Sequence, residues 1–326
     1  MTLGSVPIDT ALFLVGFVAL VKGADLLVSG AASIADRLGI PPLIVGLTIV
    51  SFGTSMPELL VTMVAGVQGN AGLAVGNVLG SNIANVLLVL GIAAIIRPLP
   101  VHDSTVVSEI PFSLTAALLV GFLANAALFS DHVVLSITAL DGAILLLFFA
   151  LFMVYVYRVS RGRSDEPATA THHGVGRSLI YVLVGATALY LGGGWVVRGA
   201  VGIATMFGVS DALIGLTIVA IGTSTPELIA SGVAAWRNQP DIAVGNVVGS
   251  NIFNLLWILG LTASFVDLPF EIISNTDLAI VIGSSSLILI ALILGRSNTI
   301  MRSHGVVFVT LYAIYLIYVV ARQGTA

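Results

Sequence analysis

The chain has 326 residues, of which 58% are hydrophobic and only 9% are charged, with a formal net charge of −4 at pH 7. Soluble domains carry about 25% charged residues, so this composition excludes a soluble globular protein and indicates a helical membrane protein. The sequence contains no cysteine, which excludes disulfides, thiolate metal sites and cysteine nucleophiles.

Ten apolar segments follow one another along the chain, each of about the length that a membrane-spanning helix needs, roughly 20 residues. A polar segment, 159–175, lies between the fifth and the sixth and predicts a short cytoplasmic linker. It separates a first half, 1–158, from a second half, 176–326. The predicted spans are 8–34, 41–68, 71–96, 104–129, 133–158, 176–207, 211–236, 241–266, 272–295 and 304–322.

The basic residues predict how these spans are oriented. When successive spans cross the membrane in alternating directions, the arginines at 37, 97, 158, 177, 237 and 302 all fall on one side. The positive-inside rule makes this side cytoplasmic and places both termini outside. Residues 1–10 contain no Lys or Arg, which argues against a cleaved signal peptide. We therefore expect a multi-pass protein of the cell membrane.

The two halves contain an internal repeat. The segment Gly39–Gly91 aligns with Gly208–Gly260 without a gap, and 27 of the 53 positions are identical. Because each half has an odd number of spans, the two copies are predicted to insert with opposite orientations. Inverted repeats of this kind are typical of secondary transporters, whose substrate site lies near the midplane where the repeats meet.

The best-matched part of the repeat reads G-T-S-M-P-E-L in the first copy and G-T-S-T-P-E-L in the second. Its glutamates, Glu58 and Glu227, lie within apolar spans, where an ionisable residue indicates function. On a helix, Ser51, Thr54, Ser55 and Glu58 recur at i, i+3, i+4 and i+7 and are expected to share one face. The proline before each glutamate has no N–H, so it frees a carbonyl one turn earlier.

The next span of each half carries a second polar stripe. Its members are spaced by four residues in both copies: Asn77, Ser81 and Asn85, and Asn246, Ser250 and Asn254. Carboxylate, hydroxyl, amide and carbonyl oxygens together suit hard cations such as Ca²⁺ and Na⁺. None of these four spans has a Lys or Arg in its interior. Two buried carboxylates without a basic partner therefore require positive charge from bound ions.

Several polar residues have plainer interpretations. Small and hydroxyl side chains in membrane helices often serve packing alone, although the repetition of the whole motif argues against this here. Asp211 and Asp241 are interpreted as helix N-caps, and Lys22 and Asp25 as a local pair within the first span. Arg198, in the sixth span, has no evident partner in the sequence.

At this point the two stretches resemble the α-repeats of the cation/calcium exchanger superfamily, most closely those of prokaryotic sodium/calcium exchangers. The resemblance is strong over the two repeats and looser over the ten-span layout. It implies a sodium/calcium exchanger fold with four cation sites between helices two, three, seven and eight. The residues implied are Glu58, Glu227, Thr54 and Thr223 for calcium; Ser224, Ser250 and the Ala220 carbonyl for an outer sodium ion; Ser55, Ser81 and the Ser51 carbonyl for an inner one; and Asn85 and Asn254 for a middle site.

The resemblance implies alternating-access exchange of Na⁺ for Ca²⁺, with helices one and six sliding past the other eight. No enzymatic activity, cofactor, nucleic acid or obligate protein partner is expected, only the two ions and the bilayer. One departure is Asn254, where some relatives and the potassium-dependent branch carry Asp, which argues against potassium dependence. The alternatives are a proton-coupled calcium or divalent-cation exchanger and, from another class, a calcium channel or passive binding protein.

Overall fold

The computed structural model describes residues 6–129, 135–160, 174–206, 220–294 and 298–323, and most of them are helical. The helices are α1 Val6–Leu38, α2 Pro42–Thr54, α3 Met56–Val67, α4 Ala71–Ile96, α5 Asp103–Val107, α6 Glu109–Ala124, α7 Ala139–Ser160, α8 Val175–Met206, α9 Ala220–Thr223, α10 Thr225–Trp236, α11 Pro240–Phe265, α12 Ser274–Leu294 and α13 Arg302–Gln323. A 3₁₀ turn at Ala126–Phe129 follows α6.

The described helices confirm a multi-pass membrane protein. Seven of them, and α5 and α6 together, are long and apolar enough to span a bilayer, and α2 with α3 forms a ninth candidate that is bent by 49°. The predicted span 211–236 lies partly outside the described residues, and its described part consists of α9 and α10. Most of the linker, 161–173, also lies outside them. The count of ten spans in two inverted halves therefore remains a prediction.

Two short antiparallel ladders join loops of one half to loops of the other. Strand β1, Leu99–Pro100, pairs with β4, Thr299–Ile300, and β2, Ser136–Ile137, pairs with β3, Leu268–Pro269. Strand β2 explains why α7 begins at Ala139 and not at 133, as the apolar pattern predicted, since the chain is extended there. Each half thus holds a connecting loop of the other in place.

The turns that follow α3 and α10 occupy equivalent positions of the repeat and have the same local structure. Gly69 has φ +77° and Asn238 has φ +60°, a left-handed conformation that glycine and asparagine tolerate best. In both turns the next residue donates its N–H to a carbonyl five residues back, Asn70 to Ala65 and Gln239 to Ala234, each at 2.8 Å. The repeat in the sequence is therefore also present in the backbone.

Helices α1 and α8 cross on glycines at two places. A Cβ added to Gly16 would lie 2.8 Å from the Gly192 carbonyl oxygen, and one added to Gly185 would lie 2.7 Å from the Gly23 carbonyl oxygen. When the alignment of the two halves is extended towards their N-termini, Gly16 matches Gly185 and Gly23 matches Gly192. The absence of side chains at these positions lets the two backbones approach closely. The pair packs along much of its length.

Helices α4 and α11 lie at the centre of the molecule. In the most apolar window of each, 72% and 94% of the residues are buried, compared with 22% for α7 and α13. The polar stripes predicted from the sequence therefore lie on the two most enclosed spans. The interrupted segments α2–α3 and α9–α10 pack against them.

Candidate cation-binding site

The helix that carries the repeated glutamate motif is interrupted in each half. Between α2 and α3 the interruption falls at Ser55, with φ −85° and ψ 8°. Between α9 and α10 it falls at Ser224, with φ −84° and ψ 5°. The expectation that Ser51 to Glu58 share one face of a continuous helix is therefore wrong, because the 49° bend redirects the helix between them.

After each interruption a new helix begins two residues before the glutamate. Pro57 and Pro226 occupy the first turns of α3 and α10, where a missing N–H costs no helical hydrogen bond. Glu58 and Glu227 follow in the same turn. The N-terminus of a helix carries a partial positive charge, so both breaks stabilise a carboxylate inside an apolar protein.

Glu58 is fully buried, and neither of its carboxylate oxygens has a hydrogen-bond partner among the described residues. Ser81 of α4 lies beside it, and the Glu227 charge is close enough to act on it. The Asn77 side chain donates to the Glu58 main-chain carbonyl at 3.3 Å. The backbone of Glu58 is thus held in place while its carboxylate remains uncompensated.

Glu227 is equally buried but differs in one contact. The Ser55 hydroxyl donates to its Oε1 at 3.0 Å, and Oε2 has no partner in the described part of the chain. Since Ser55 belongs to the first half and Glu227 to the second, this hydrogen bond joins the two motifs directly.

Further hydrogen bonds connect the halves around the carboxylates. The Ser51 hydroxyl lies 2.8 Å from the Gly46 carbonyl of its own helix and 3.0 Å from the Asn246 carbonyl of the other half. The Thr54 hydroxyl donates to the Asn246 side-chain oxygen at 3.1 Å. The Asn85 amide donates to the Asn251 side-chain oxygen at 3.1 Å. The interface between the repeats is therefore polar at the centre of the molecule.

In each half, an asparagine side chain of the central helix donates a hydrogen bond to the helix that carries the glutamate. Asn77 donates to the Thr62 hydroxyl at 2.9 Å, and Asn246, its equivalent in the second half, donates to the Ser231 hydroxyl at 2.9 Å. Thr62 and Ser231 are also equivalent positions of the repeat. Each pair fixes α3 or α10 to the central helix of its own half.

Many polar atoms at this interface are buried without a partner among the described residues. Such atoms cost about 1–3 kcal/mol each, and more when charged. Neither glutamate forms an ion pair with a described residue, since the ion pairs there lie elsewhere. The unpartnered atoms are both carboxylate oxygens of Glu58, Oε2 of Glu227, the hydroxyls of Ser224 and Ser250, Oδ1 of Asn85, and Oδ1 and Nδ2 of Asn254. A bound cation would satisfy the oxygens.

Both central helices widen into a π-helical segment beside these residues, at Asn85–Leu90 in α4 and Phe253–Ile258 in α11. Asn85 opens the first, and Asn254 is the second residue of the other. A third π-helical segment, Gly46–Val50, ends immediately before Ser51. Such segments are frequent at functional sites, and residue spacing alone did not predict them.

The sequence matches one family, described as "Sodium/calcium exchanger protein", over residues 8–158 and 177–321. The chain belongs to this family. Exchangers of cations such as Na⁺ and Ca²⁺ are therefore its relatives, and the protein is a membrane transporter that moves calcium against another cation.

Several related proteins match this chain over nearly the full length of both chains. CaxA of Alkalimonas amylolytica is 37% identical over 94% of this chain and 97% of its own length. The sodium/calcium exchanger MaX1 of Methanosarcina acetivorans is 31% identical over 96% of this chain and 98% of that protein. A solved structure of the sodium-calcium exchanger NCX_Mj is 31% identical, with a TM-score of 0.81 over 96% of this chain and 99% of that chain.

The residues expected to bind ions in this exchanger lie on the bent segments and the two central helices. Thr223 is half-buried at the end of α9, and for Ala220 only the backbone is described. The Ser51 carbonyl accepts the Ser55 N–H at 2.9 Å, so one of its lone pairs is occupied. The fully buried members are Ser51, Thr54, Ser55, Glu58, Ser81, Asn85, Ser224, Glu227, Ser250 and Asn254.

Two interpretations of charged residues outside the site are wrong. Asp25 forms an ion pair with Arg237, at the end of α10, instead of a local pair with Lys22. Asp241 lies in the first turn of α11, whose N-cap is Gln239, and its carboxylate is 3.4 Å from the His102 ring. Spacing within one helix did not reveal these contacts, because both partners come from other helices or loops. Asp211 lies outside the described residues.

One buried glutamate outside the site, Glu109, was not predicted from the sequence. Glu109 opens α6 and is buried, and the Tyr155 hydroxyl of α7 donates to one of its oxygens. The same hydroxyl bonds to Ser108 at 2.9 Å. Glu109 is therefore another buried carboxylate, with one oxygen hydrogen-bonded to a neighbouring helix and Oε2 without a partner among the described residues.

Proposed function

We propose that this protein exchanges Na⁺ for Ca²⁺ by alternating access, with a cation site built from Glu58 and Glu227. The observation that carries the proposal is the group of three unpartnered, buried carboxylate oxygens on two repeat-equivalent glutamates. Uncompensated carboxylates in an apolar interior cost several kcal/mol or more, so the site must be filled by cations or protons.

The charge of the site suits calcium. Two carboxylates neutralise one Ca²⁺, and Thr54 and Thr223 add neutral oxygens towards the six to eight that calcium takes. Outer and inner sodium positions would use Ser224, Ser250 and the Ala220 carbonyl, and Ser55, Ser81 and the Ser51 carbonyl. Asn85 and Asn254 would complete a middle position.

Exchange follows from the same electrostatics. An empty site leaves two buried charges unpaired, so a conformational change that carries the site across the membrane is costly unless ions occupy it. Either Ca²⁺ or several Na⁺ can remove this cost. In the proposed cycle, α1 and α8 move together past the other eight spans. The ten spans form two inverted halves in the cell membrane, with both termini outside.

The decisive experiment is calcium uptake by proteoliposomes. The vesicles are loaded with Na⁺, diluted into Na⁺-free medium containing ⁴⁵Ca²⁺, and clamped to the same pH on both sides. We expect uptake that depends on the outward Na⁺ gradient and collapses when choline replaces internal Na⁺. Uptake without any counter-ion gradient would identify a channel and contradict the proposal.

Proton coupling is the second candidate, because a proton neutralises a buried carboxylate as well as a metal ion does. The same vesicles distinguish the two ions. Calcium uptake that requires an outward proton gradient and does not depend on Na⁺ would show that protons, and not Na⁺, are the coupling ions. The assignment of Glu58 and Glu227 would survive that result.

A further inference from the structure

A narrow apolar cavity of about 390 Å³ lies between α1 and α8. Its α8 residues recur every three or four positions, so they form one stripe along that helix. Leu183, Val184 and Leu191 in this stripe are 60%, 50% and 42% exposed. The lining consists of Ala19 of α1 with Leu183, Val184, Thr187, Ala188, Leu191 and Trp195 of α8.

A second cavity, of about 380 Å³, continues this stripe towards the end of α8. Leu191 and Trp195 line both cavities, and Arg198 lines the second. The opposite wall of the second cavity includes the motif residues Pro57, Thr223 and Pro226. Arg198 lies three residues after Trp195, on the same side of the helix. It is exposed and has no hydrogen bond or ion pair in the described part of the chain. The apolar stripe therefore ends at an uncompensated guanidinium.

The length of α8 places this arginine near the surface of the bilayer. Its 32 residues extend about 48 Å, whereas the hydrocarbon core is about 30 Å thick. If α8 is centred in the membrane, the core covers about 20 residues, roughly 181–200. Leu183 to Trp195 then contact hydrocarbon, and the long Arg198 side chain reaches the headgroups.

We propose that these two cavities bind one anionic phospholipid, with an acyl chain along Leu183–Trp195 and its phosphate on Arg198. The guanidinium fork matches a phosphate in geometry as well as in charge. An anionic lipid neutralises Arg198, while a zwitterionic one brings its own cation to the same place. The headgroup contact does not depend on the coupling ion, because Arg198 is not among the residues assigned to the cation site, whereas the second cavity also reaches Thr223 of that site.

Quenching of Trp195 by brominated lipids tests the site. The chain has three tryptophans, so W236F/W257F leaves Trp195 as the only one. This protein is reconstituted with increasing mole fractions of a phosphatidylglycerol or a phosphatidylcholine brominated on one acyl chain. One basic side chain near the surface attracts an anionic lipid by about 1 kcal/mol, so half-maximal quenching is expected at a roughly fivefold lower mole fraction of phosphatidylglycerol.

The variants identify the headgroup contact. In R198Q the two lipids are expected to quench equally, in R198K the preference is retained in part, and in R302Q, a matched loss of charge at the start of α13, it is unchanged. Equal quenching by both lipids in the W236F/W257F protein, which needs no change at Arg198, overturns the proposal. A preference that persists in R198Q also overturns it.

Discussion

Glu58 and Glu227 occupy equivalent positions in the two repeats but have different surroundings. Glu227 accepts a hydrogen bond from Ser55, whereas Glu58 accepts none from the described residues. Ser224, the equivalent of Ser55, has a hydroxyl without a partner among the described residues. The two repeats are therefore not interchangeable at the centre of the site, although their motifs are nearly identical.

Replacing either glutamate with glutamine should abolish calcium transport. Glu58→Gln and Glu227→Gln keep the side-chain shape and remove the charge that binds the ion. A ligand at 100 times its Kd stabilises a protein by about 2.7 kcal/mol, so Ca²⁺ should raise the Tm of the wild type but not of either variant. Glu109→Gln is the matched control, since this buried carboxyl lies outside the site. Wild-type ⁴⁵Ca²⁺ uptake by E58Q or E227Q would refute the site.

Ser55 and Ser224 occupy equivalent positions of the repeat, so replacing each of them tests the difference between the two glutamates. Ser55→Ala removes a hydrogen bond to a buried carboxylate, which is worth about 1.5–3 kcal/mol, whereas Ser224→Ala removes a hydroxyl without a partner in the described structure. We expect S55A to lower the thermal stability of the ion-free protein in detergent and S224A to change it little. Equal losses in both variants would contradict the observed hydrogen bonding.

At the scale of elements, the crossing of α1 and α8 on glycines makes the two longest helices a single unit. Gly185 is a tight position of the crossing, because an added Cβ would lie 2.6 Å from the Leu27 N. Gly194, on the same helix, has no atom within 4 Å of an added Cβ. Alanine substitutions at these two positions therefore distinguish the effect of close packing from the effect of helix propensity.

Gly185→Ala should destabilise the protein by about 1–3 kcal/mol, the usual cost of forcing atoms into a packed interface. Gly194→Ala should be neutral or stabilising by up to about 1 kcal/mol, since alanine favours a helix. Thermal unfolding of the purified variants in detergent measures both. If G185A is as stable as G194A, the two helices do not depend on this contact.

At the scale of the whole molecule, the turns after α3 and α10 test the inverted repeat. They share one local structure, but the repeat predicts that they face opposite sides of the membrane. The chain lacks cysteine, so single cysteines can be introduced without a background. We expect an impermeant maleimide to label Q68C in intact cells and to label Q239C only after permeabilisation. Labelling of both from one side would refute the inverted arrangement.

The sequence by itself determined the membrane class and most of the spans, and it predicted the residues of the candidate site. It did so because apolar length, the internal repeat and charges inside spans are properties that can be read along the chain without knowing which helices pack together. The family assignment confirmed this interpretation of the class. The spans 104–129 and 133–158 were less exact. The first is interrupted at Ser108 and ends in a 3₁₀ turn, and the second begins later because β2 pairs with a loop of the other half.

Only the tertiary structure decided how the two halves complete one another. The bends at Ser55 and Ser224, the Ser55–Glu227 hydrogen bond and the Asn246 contacts arise where distant segments meet, and no spacing within one segment encodes them. The same holds for the Asp25–Arg237 pair and for the cavity at Arg198. The residue types of a motif can be identified from the sequence, whereas the neighbours of each polar atom depend on which helices pack together.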